Sequence, residues 1–194
     1  MNQIIKIAAI SVSDRASSGE YIDKAIPTIE DWLHRAITTK FEFISKIIPD
    51  EKAEIEKTLI EFVDQQNCNL IFTIGGTGPA KRDVTPEATT NVVEKLLPGF
   101  GEQMRQISLQ FVPTAILSRQ TAGIRNQALI INLPGQPKSI IETFEGVKDQ
   151  NDQVVVEGIF RAIPYCVELI CGAIIQTNPN VVMAFRPKSA PAIK

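Results

Sequence analysis

A glycine-rich segment in the middle of the chain has the residue types that bind phosphate. Its members are Gly75, Gly76, Thr77 and Gly78, called here the glycine loop. Glycines let the backbone turn sharply and leave its N–H groups unobstructed by side chains. An apolar run precedes the loop, and a helix is predicted to begin at Thr85 with the Thr85 hydroxyl as its cap, so the positive end of a helix dipole follows. With the cations Lys81 and Arg82 nearby, this segment predicts a phosphate site.

Asp83 places an acid in the same segment. A carboxylate beside a phosphate is costly unless a cation lies between them, and Mg²⁺ accepts oxygens from both groups. Glycines followed by this acid therefore predict a nucleotide site that uses Mg²⁺. The spacing is neither the P-loop pattern nor the dinucleotide G-x-G-x-x-G pattern. The alternative is a tight turn with solvated charges, but the buried strand before the loop and the helix after it favour the binding site.

Further polar residues follow other predicted strands. Asp50 comes after the second strand, where it is also a good candidate for a helix N-cap, and the two roles are compatible. Ser13 and Asp14 follow the first strand, where an ordinary polar loop is the alternative interpretation. Because the carboxyl ends of parallel strands meet at one edge of a sheet, we expect these residues to lie near the glycine loop.

The second half of the chain adds a smaller set of candidates. Ser118 and Arg119 lie in a polar stretch with Arg125. Each arginine alone is more typical of a solvated side chain, but together they suit an anionic ligand. Pro134 and Gly135 follow a strand, and such a pair usually forms only a turn. At this edge of the sheet, it also predicts a backbone contact to the ligand.

The elements that must position these residues alternate between strand and helix patterns. Apolar runs predict strands over residues 4–12, 69–74 and 128–133, and residues 41–48 also have strand character. Between the strands, apolar residues recur at helical spacing. We therefore predict an α/β fold, a three-layer sandwich with a mostly parallel central sheet and helices on both faces. The length of 194 residues suits a single domain over residues 1–194. Residues 173–194, rich in proline, predict an extended C-terminal tail.

Composition excludes several classes of function. The net charge of −2, from 20 basic and 22 acidic residues, gives no cationic excess that would favour binding to nucleic acid or an anionic membrane. Neither a membrane-spanning run nor a signal peptide is recognisable, so we expect a cytoplasmic protein. The cysteines Cys68, Cys166 and Cys171 form no C-x-x-C pair, and His34 is the only histidine. A Cys/His zinc site and a Ser-His-Asp triad are therefore not expected.

Several segments resemble the molybdopterin adenylyltransferases. These belong to the wider molybdopterin-binding family that includes MogA, MoaB and the G domains of gephyrin-like proteins. The matching segments are residues 12–19, 75–86, 98–105, 117–120, 132–139 and 185–189, so the resemblance covers almost the whole chain. The glycine loop with Asp83 is shared across the wider family, whereas the first and last segments are specific to the adenylyltransferases. Only residues 190–194 depart from the family pattern.

The resemblance implies a homotrimer that converts molybdopterin and ATP to adenylyl-molybdopterin and pyrophosphate with Mg²⁺. It maps the two catalytic, metal-binding aspartates of the family onto Asp50 and Asp83. By this hypothesis, the glycine loop binds phosphate, while Ser118, Arg119 and the turn at residues 134–135 shape the pterin and nucleotide cleft. A transient contact with the molybdenum-insertion enzyme is a further expectation.

Two other classes of function stay open from the sequence. One is a pterin-binding or scaffolding module without catalysis, and the presence of both aspartates favours the enzyme over it. The other is a pyrophosphatase of the related CinA type, which would hydrolyse nucleotides without pterin. Pyrophosphate release that depends on pterin separates these possibilities.

Overall fold

The computed structural model describes residues 4–190. Its main sheet has six strands in the order β2-β1-β3-β6-β5-β4. They are β1 (Ile5–Val12), β2 (Phe41–Ile48), β3 (Leu70–Ile74), β4 (Lys95–Leu96), β5 (Ala122–Arg125) and β6 (Ala128–Leu133). A separate two-stranded sheet pairs β7 (Gly146–Lys148) with β8 (Val154–Glu157).

Helices connect these strands. They are α1 (Asp14–Ser17), α2 (Ala25–Ala36), α3 (Lys52–Ile60), α4 (Thr85–Val92), α5 (Pro98–Ser108), α6 (Pro137–Glu145) and α7 (Ile163–Cys171). A π-helical turn over Glu61–Gln65 continues α3, and short 3-10 turns lie at Pro113–Leu117 and Ile159–Arg161. Within residues 4–190, no helix is both long enough and apolar enough to cross a membrane.

Two apolar clusters cover the two faces of the main sheet. One contains α2, α5, α6 and α7, where the rings of Trp32, Phe144 and Phe160 pack on one another. The other contains α3 and α4, with Leu59 and Ala88 fully buried. The predicted three-layer sandwich is therefore confirmed. Most of the sheet is parallel, also as predicted, because β2, β1, β3 and β6 run in one direction.

The register of the parallel strands brings their carboxyl ends to one edge. Val12 pairs with Ile48, and Ile74 pairs with both Ser11 and Leu133. The chain leaves β1 toward β2 on one side and then crosses to β3 on the other side. Strand order therefore reverses between β1 and β3, which is where open α/β sheets bind ligands in the crevice beyond the strand ends.

The structure corrects the predicted polar stretch. Residues 122–125 form β5, which pairs antiparallel with β6 through a tight turn at Asn126, where φ is +49°. The helix that begins at Thr85 ends at Val92, because the chain turns into β4. The next helix begins at Pro98, since proline suits the first helical turn.

The C-terminal segment packs on the body as far as it is described. Thr38 donates its amide to the Gln176 carbonyl at 2.9 Å, and Val182 is buried in the core. Arg186 pairs with Glu168 of α7 at 2.7 Å. Residues 191–194 of the predicted tail and residues 1–3 of the predicted domain lie outside the described residues.

Candidate active site

The glycine loop leaves β3 with two consecutive residues in the left-handed region. Gly75 has φ +94° and Gly76 has φ +64°. A Cβ on Gly75 would lie 2.7 Å from the Val12 carbonyl oxygen, and one on Gly76 would lie 2.3 Å from the Thr85 hydroxyl. Contacts this close exclude a side chain at either position, so the sequence needs glycine for both conformation and space.

Thr85 ties the glycine loop to helix α4. Its hydroxyl donates to the Gly75 carbonyl at 2.9 Å, and its amide donates to the Gly76 carbonyl at 3.1 Å. The prediction that the Thr85 hydroxyl caps α4 is therefore wrong, because Thr85 is the first helical residue and Val84 precedes the helix. Instead of capping α4, the hydroxyl turns the loop carbonyls toward the protein.

Arg119 binds the remaining two carbonyls of the loop. Its amide donates to the Thr77 carbonyl at 2.9 Å, and its Nε donates to the Gly78 carbonyl at 2.8 Å. The same guanidinium donates to the Asp83 carbonyl and pairs with Glu87 of α4. The side chain predicted to contact an anion thus holds the loop itself in place.

The loop amides and the loop carbonyls differ in their hydrogen-bond partners. All four carbonyls of residues 75–78 accept hydrogen bonds from Thr85 or Arg119. Among residues 4–190, no acceptor meets the N–H groups of Gly76, Thr77 or Gly78. Half-buried amide groups normally have partners, and a set of unpaired ones at a turn forms a concavity for an anion. The N-terminus of α4 adds its dipole to the same place.

Asp83 lies over the end of the glycine loop. Its Oδ2 accepts from the Ala80 amide at 3.0 Å, and its own amide donates to the Ala80 carbonyl at 2.9 Å. A Cβ on Gly78 would lie 2.8 Å from the same Oδ2. The turn at residues 80–83 therefore fixes this carboxylate beside the unpaired amides.

Asp50 flanks the loop on its other side. A Cβ on Gly76 would lie 3.4 Å from its Oδ1, while its Oδ2 accepts from the Asp14 amide at 2.7 Å. The predicted N-cap role of Asp50 is wrong, because Glu51 is the residue that precedes α3 and no side chain caps that helix. Burial raises the pKa of the Asp50 carboxyl, and the like charges of Asp14 and Asp83 raise it further.

The two carboxylates fit a metal that is bound together with substrate. Within residues 4–190, no group of three or more His, Cys, Asp or Glu side chains is placed to hold a metal ion. Mg²⁺ is commonly bound by one or two carboxylates, with substrate phosphates and water completing its shell. Asp50 and Asp83, on either side of the phosphate-type loop, match that donor set.

Arg82, the other predicted phosphate contact, lies between two acids. Its Nη2 donates to the Asp14 carboxylate at 2.8 Å, and its Nη1 donates to Glu51 Oε1 at 2.7 Å. The Asp50 amide and the Arg82 guanidinium lower the pKa of Asp14. Ser13 lies next to this group, and its hydroxyl accepts from the Ala16 amide at the start of α1.

The remaining candidates divide between the site and the rest of the fold. A Cβ on Gly135 would lie 3.6 Å from the Gly75 Cα, so the turn at Pro134 and Gly135 reaches the glycine loop. Ser118 donates its hydroxyl to the buried Gln120 at 2.6 Å. Arg125 pairs with Asp64 at the opposite edge of the sheet, so the predicted joint contribution of Arg119 and Arg125 to one anion is not formed.

Side chains outside the site have structural roles. His34 is exposed, and its ring stacks on Phe41 with centroids 4.9 Å apart. The cysteines are free thiols, and burial raises the pKa of Cys68 to about 12 and that of Cys166 to about 11. A reactive thiolate is therefore not favoured at either position.

Sequence reasoning missed Glu51, Glu87 and Gln120. Glu51 and Glu87 each bind an arginine of the site, and Gln120 holds Ser118. Two of these residues could have been predicted from their neighbours in the sequence, since Glu51 directly follows Asp50 and Glu87 lies in the first turn of the helix after the loop. Gln120 could not, because its burial depends on β6 and α5.

Comparison with known proteins agrees with this geometry. A family model described as "Probable molybdopterin binding domain" matches residues 8–152. The molybdopterin adenylyltransferase of Escherichia coli K12 is 63% identical over 186 residues, covering 96% of this chain and 95% of the relative. That of Haemophilus influenzae is 58% identical over 190 residues, covering 98% and 96%.

A solved structure is similar over most of the chain. The molybdopterin biosynthesis enzyme MoaB from Thermus thermophilus superimposes with a TM-score of 0.74 and 35% identity, covering 87% of this chain and 98% of that chain. Together with the matched family model and the identities above, this likeness shows that the chain belongs to the molybdopterin-binding domain family.

Proposed function

We propose that this protein is a molybdopterin adenylyltransferase, which transfers AMP from ATP to molybdopterin in molybdenum cofactor biosynthesis. One structural observation carries the nucleotide half of this proposal. The glycine loop gives all its carbonyls to Thr85 and Arg119 and leaves the amides of residues 76–78 without partners among the described residues. Such a loop is built for an anion, and two acids beside it suit a phosphate bound with a metal.

The pterin half of the proposal is supported by the relatives. The proteins from Escherichia coli and Haemophilus influenzae, 63% and 58% identical to this chain, are molybdopterin adenylyltransferases. The segments that carry the site lie within the 96% of this chain that aligns with the first of them.

The proposed reaction is an in-line displacement at phosphorus. An oxygen of the terminal phosphate of molybdopterin attacks the α-phosphorus of ATP and forms a new P–O bond. The bond between the α-phosphorus and its bridging oxygen breaks, and pyrophosphate leaves. Both partners are anionic, so positioning and charge neutralisation dominate the lowering of the barrier.

Each residue of the site has its own role in this proposed reaction. The amides of Gly76, Thr77 and Gly78 hold phosphate oxygens, with the dipole of α4 behind them. Arg119 keeps those amides turned toward the substrate. The turn at residues 134–135 lies against Gly75 and closes one side of the cleft. In this proposal, Ser13 and Ser118 contact the rest of the substrates.

Asp50 and Asp83 are the catalytic pair in this proposal. They would hold Mg²⁺, which when bound neutralises charge on the reacting phosphates. Their own positions come from the protein, through the Asp14 amide for Asp50 and the Ala80 amide for Asp83. We further propose that the protein works in the cytoplasm as a homotrimer and passes its product to a molybdenum-insertion enzyme by transient contact.

The experiment that tests the function measures pyrophosphate release by the purified protein with ATP, Mg²⁺ and molybdopterin. We expect release that requires molybdopterin and stops when Mg²⁺ is chelated. Release from nucleotide without molybdopterin would indicate a CinA-type hydrolase. Pterin binding with no pyrophosphate at all would indicate a non-catalytic module, and either result would overturn the proposal.

A further inference from the structure

A single guanidinium connects the loops that follow the first three strands. Arg82, in the loop after β3, donates Nη1 to Glu51 after β2 at 2.7 Å. Its Nε and Nη2 donate to the Asp14 carboxylate after β1, at 3.2 Å and 2.8 Å. Arg82 therefore engages two carboxylates through three of its nitrogens, and we call these three residues the arginine clamp.

The clamp continues to the catalytic carboxylate through Asp14. The Asp14 amide donates to Asp50 Oδ2 at 2.7 Å, and the Asp50 amide donates back to Asp14 Oδ1 at 3.0 Å. Each of the two aspartates thus fixes the backbone of the other. A displacement of Arg82 acts on Asp50 through this pair, although no hydrogen bond or ion pair among the described residues joins Arg82 to Asp50.

Stability alone does not account for the clamp. The side chains of Arg82 and Glu51 are 54% and 59% exposed, and exposed ion pairs contribute little to the free energy of unfolding. The effect of the clamp on the position of a catalytic group can be much larger, because a displacement of about 1 Å at a reacting centre can cost about 100-fold in rate. An exposed pair that orients a catalytic loop can therefore matter far more to turnover than to stability.

Resting on the adenylyl transfer proposed above, we propose that Glu51 is a positioning residue for that reaction. By orienting Arg82, it keeps Asp14 in place and so fixes the Asp50 carboxylate beside the glycine loop. While the clamp is closed, Arg82 is not a phosphate ligand. Phosphate is then left to the unpaired loop amides and to Lys81, which has no ion pair among the described residues.

The competing arrangement makes a different prediction. If Arg82 were a phosphate ligand, Glu51 and Asp14 would compete with ATP for it. Removing Glu51 would then free the guanidinium and tighten ATP binding. The two arrangements therefore differ in which constant changes: the positioning role lowers kcat with KM for ATP nearly unchanged, whereas the ligand role lowers KM for ATP.

Steady-state kinetics of four variants test the proposal in the full-length protein. They are Glu51→Ala, Glu51→Gln, Arg82→Gln and the double variant Glu51→Ala/Arg82→Gln. For Glu51→Ala we expect kcat to fall about tenfold, with KM for ATP within about twofold of wild type. Glu51→Gln keeps an oxygen that accepts from Arg82 and should recover most of the loss. The double variant should be no slower than Arg82→Gln, because both changes open the same clamp.

Glu168→Ala is the matched control. It breaks another arginine–glutamate pair, Glu168 with Arg186, between α7 and the C-terminal segment. Its kcat should equal that of wild type. A lower KM for ATP in Glu51→Ala, an unchanged kcat there, or additive losses in the double variant would each overturn the positioning role.

A second measurement does not depend on activity. Hydrogen exchange of the Asp14 amide, followed by NMR in the ligand-free protein, reports the bond from that amide to Asp50. We expect faster exchange in Glu51→Ala and in Arg82→Gln, with the control unchanged. If wild type shows no pterin-dependent pyrophosphate release, the proposed function fails and this exchange still tests the clamp. Unchanged exchange in both variants would overturn it.

Discussion

Arg119 donates its Nε to the carbonyl of Gly78 at 2.8 Å, across 41 residues of chain. The contact reverses the role usually expected of an arginine beside a phosphate loop. The Arg119 guanidinium binds the Gly78 carbonyl, and the Arg119 amide binds the Thr77 carbonyl, so the protein itself occupies both carbonyls. An anion site in this fold thus depends on a cation that need not touch the anion.

Replacing Arg119 by lysine should weaken ATP binding. Lysine keeps the charge, but a single ammonium cannot bind the Gly78 carbonyl, the Asp83 carbonyl and Glu87 in the same fork geometry. We expect KM for ATP to rise about tenfold, since the loss of a charge-assisted hydrogen bond costs about 1.5–3 kcal/mol. Steady-state kinetics with varied ATP give the value.

Arg161→Lys is the control for this change, because Arg161 pairs with Glu157 away from the site. Its kinetics should match wild type. A wild-type KM in Arg119→Lys would show that charge alone, and not the fork of hydrogen bonds, holds the loop.

Local patterns predicted the scaffold of the site well. Three of the four parallel strands, β1, β3 and β6, are apolar runs that need no partner to be recognised, and all four strands lead into residues chosen as candidates. The predicted strand over residues 128–133 coincides with β6. The predicted meeting of loops at one sheet edge followed from parallel pairing alone.

Contacts between residues far apart along the chain could not be predicted from local sequence patterns. Asp50 was predicted to cap a helix, because a local rule favours an acid there, but it accepts from the Asp14 amide 36 residues away. Thr85 was likewise predicted as a cap, and its hydroxyl binds Gly75 instead. The strand β5 was missed since its four residues are weakly apolar, although Asn126 with positive φ is typical of a hairpin turn.

Gly76→Ala should damage both stability and activity. Its φ of +64° is strained for alanine, and the new Cβ would lie 2.3 Å from the Thr85 hydroxyl that holds the loop. We expect a loss of about 2–4 kcal/mol in the free energy of unfolding, more than left-handed strain alone, which costs about 1–2 kcal/mol. Urea unfolding measures the loss.

Gly172→Ala separates strain from crowding. Gly172 has a similar φ of +74°, but a Cβ there meets nothing within 4 Å. The control should therefore show the cost of conformation only, with activity retained. Equal losses in the two variants would contradict the crowding of Thr85.

Asp83→Asn should abolish turnover while the fold stays intact. Asparagine keeps an oxygen that accepts from the Ala80 amide, so the turn at residues 80–83 survives. The charge that suits a metal and neutralises the reacting phosphates is lost, and we expect kcat to fall at least about 100-fold. Pyrophosphate release gives the rate, and circular dichroism checks the fold.

Asp149→Asn is the matched control, since Asp149 also accepts backbone amides in a turn, from Asn151 and Gln153. It should keep wild-type activity. Wild-type adenylylation by Asp83→Asn would remove this residue from the catalytic pair.

The pair of Asp64 and Arg125 should make stability depend on pH. Arg125 donates to both Asp64 oxygens, at 3.2 Å and 2.6 Å, and these hydrogen bonds hold the pKa of the Asp64 carboxyl below its ordinary value. A carboxyl whose pKa is lower in the folded state contributes stability above its unfolded pKa. That contribution is lost as pH falls through the folded value.

Urea unfolding of wild type and Asp64→Asn at several pH values tests this coupling. At pH 7 we expect wild type to be more stable by about 1 kcal/mol, since both side chains are partly buried. The difference should shrink as pH falls below about 4, where the carboxyl of the unfolded wild-type chain binds a proton. Asparagine does not titrate, so it supplies the pH-independent reference. A difference that stays constant down to about pH 3 would mean that the Asp64 carboxyl has the same pKa in the folded and unfolded chains, and would contradict the coupling of this ion pair to pH.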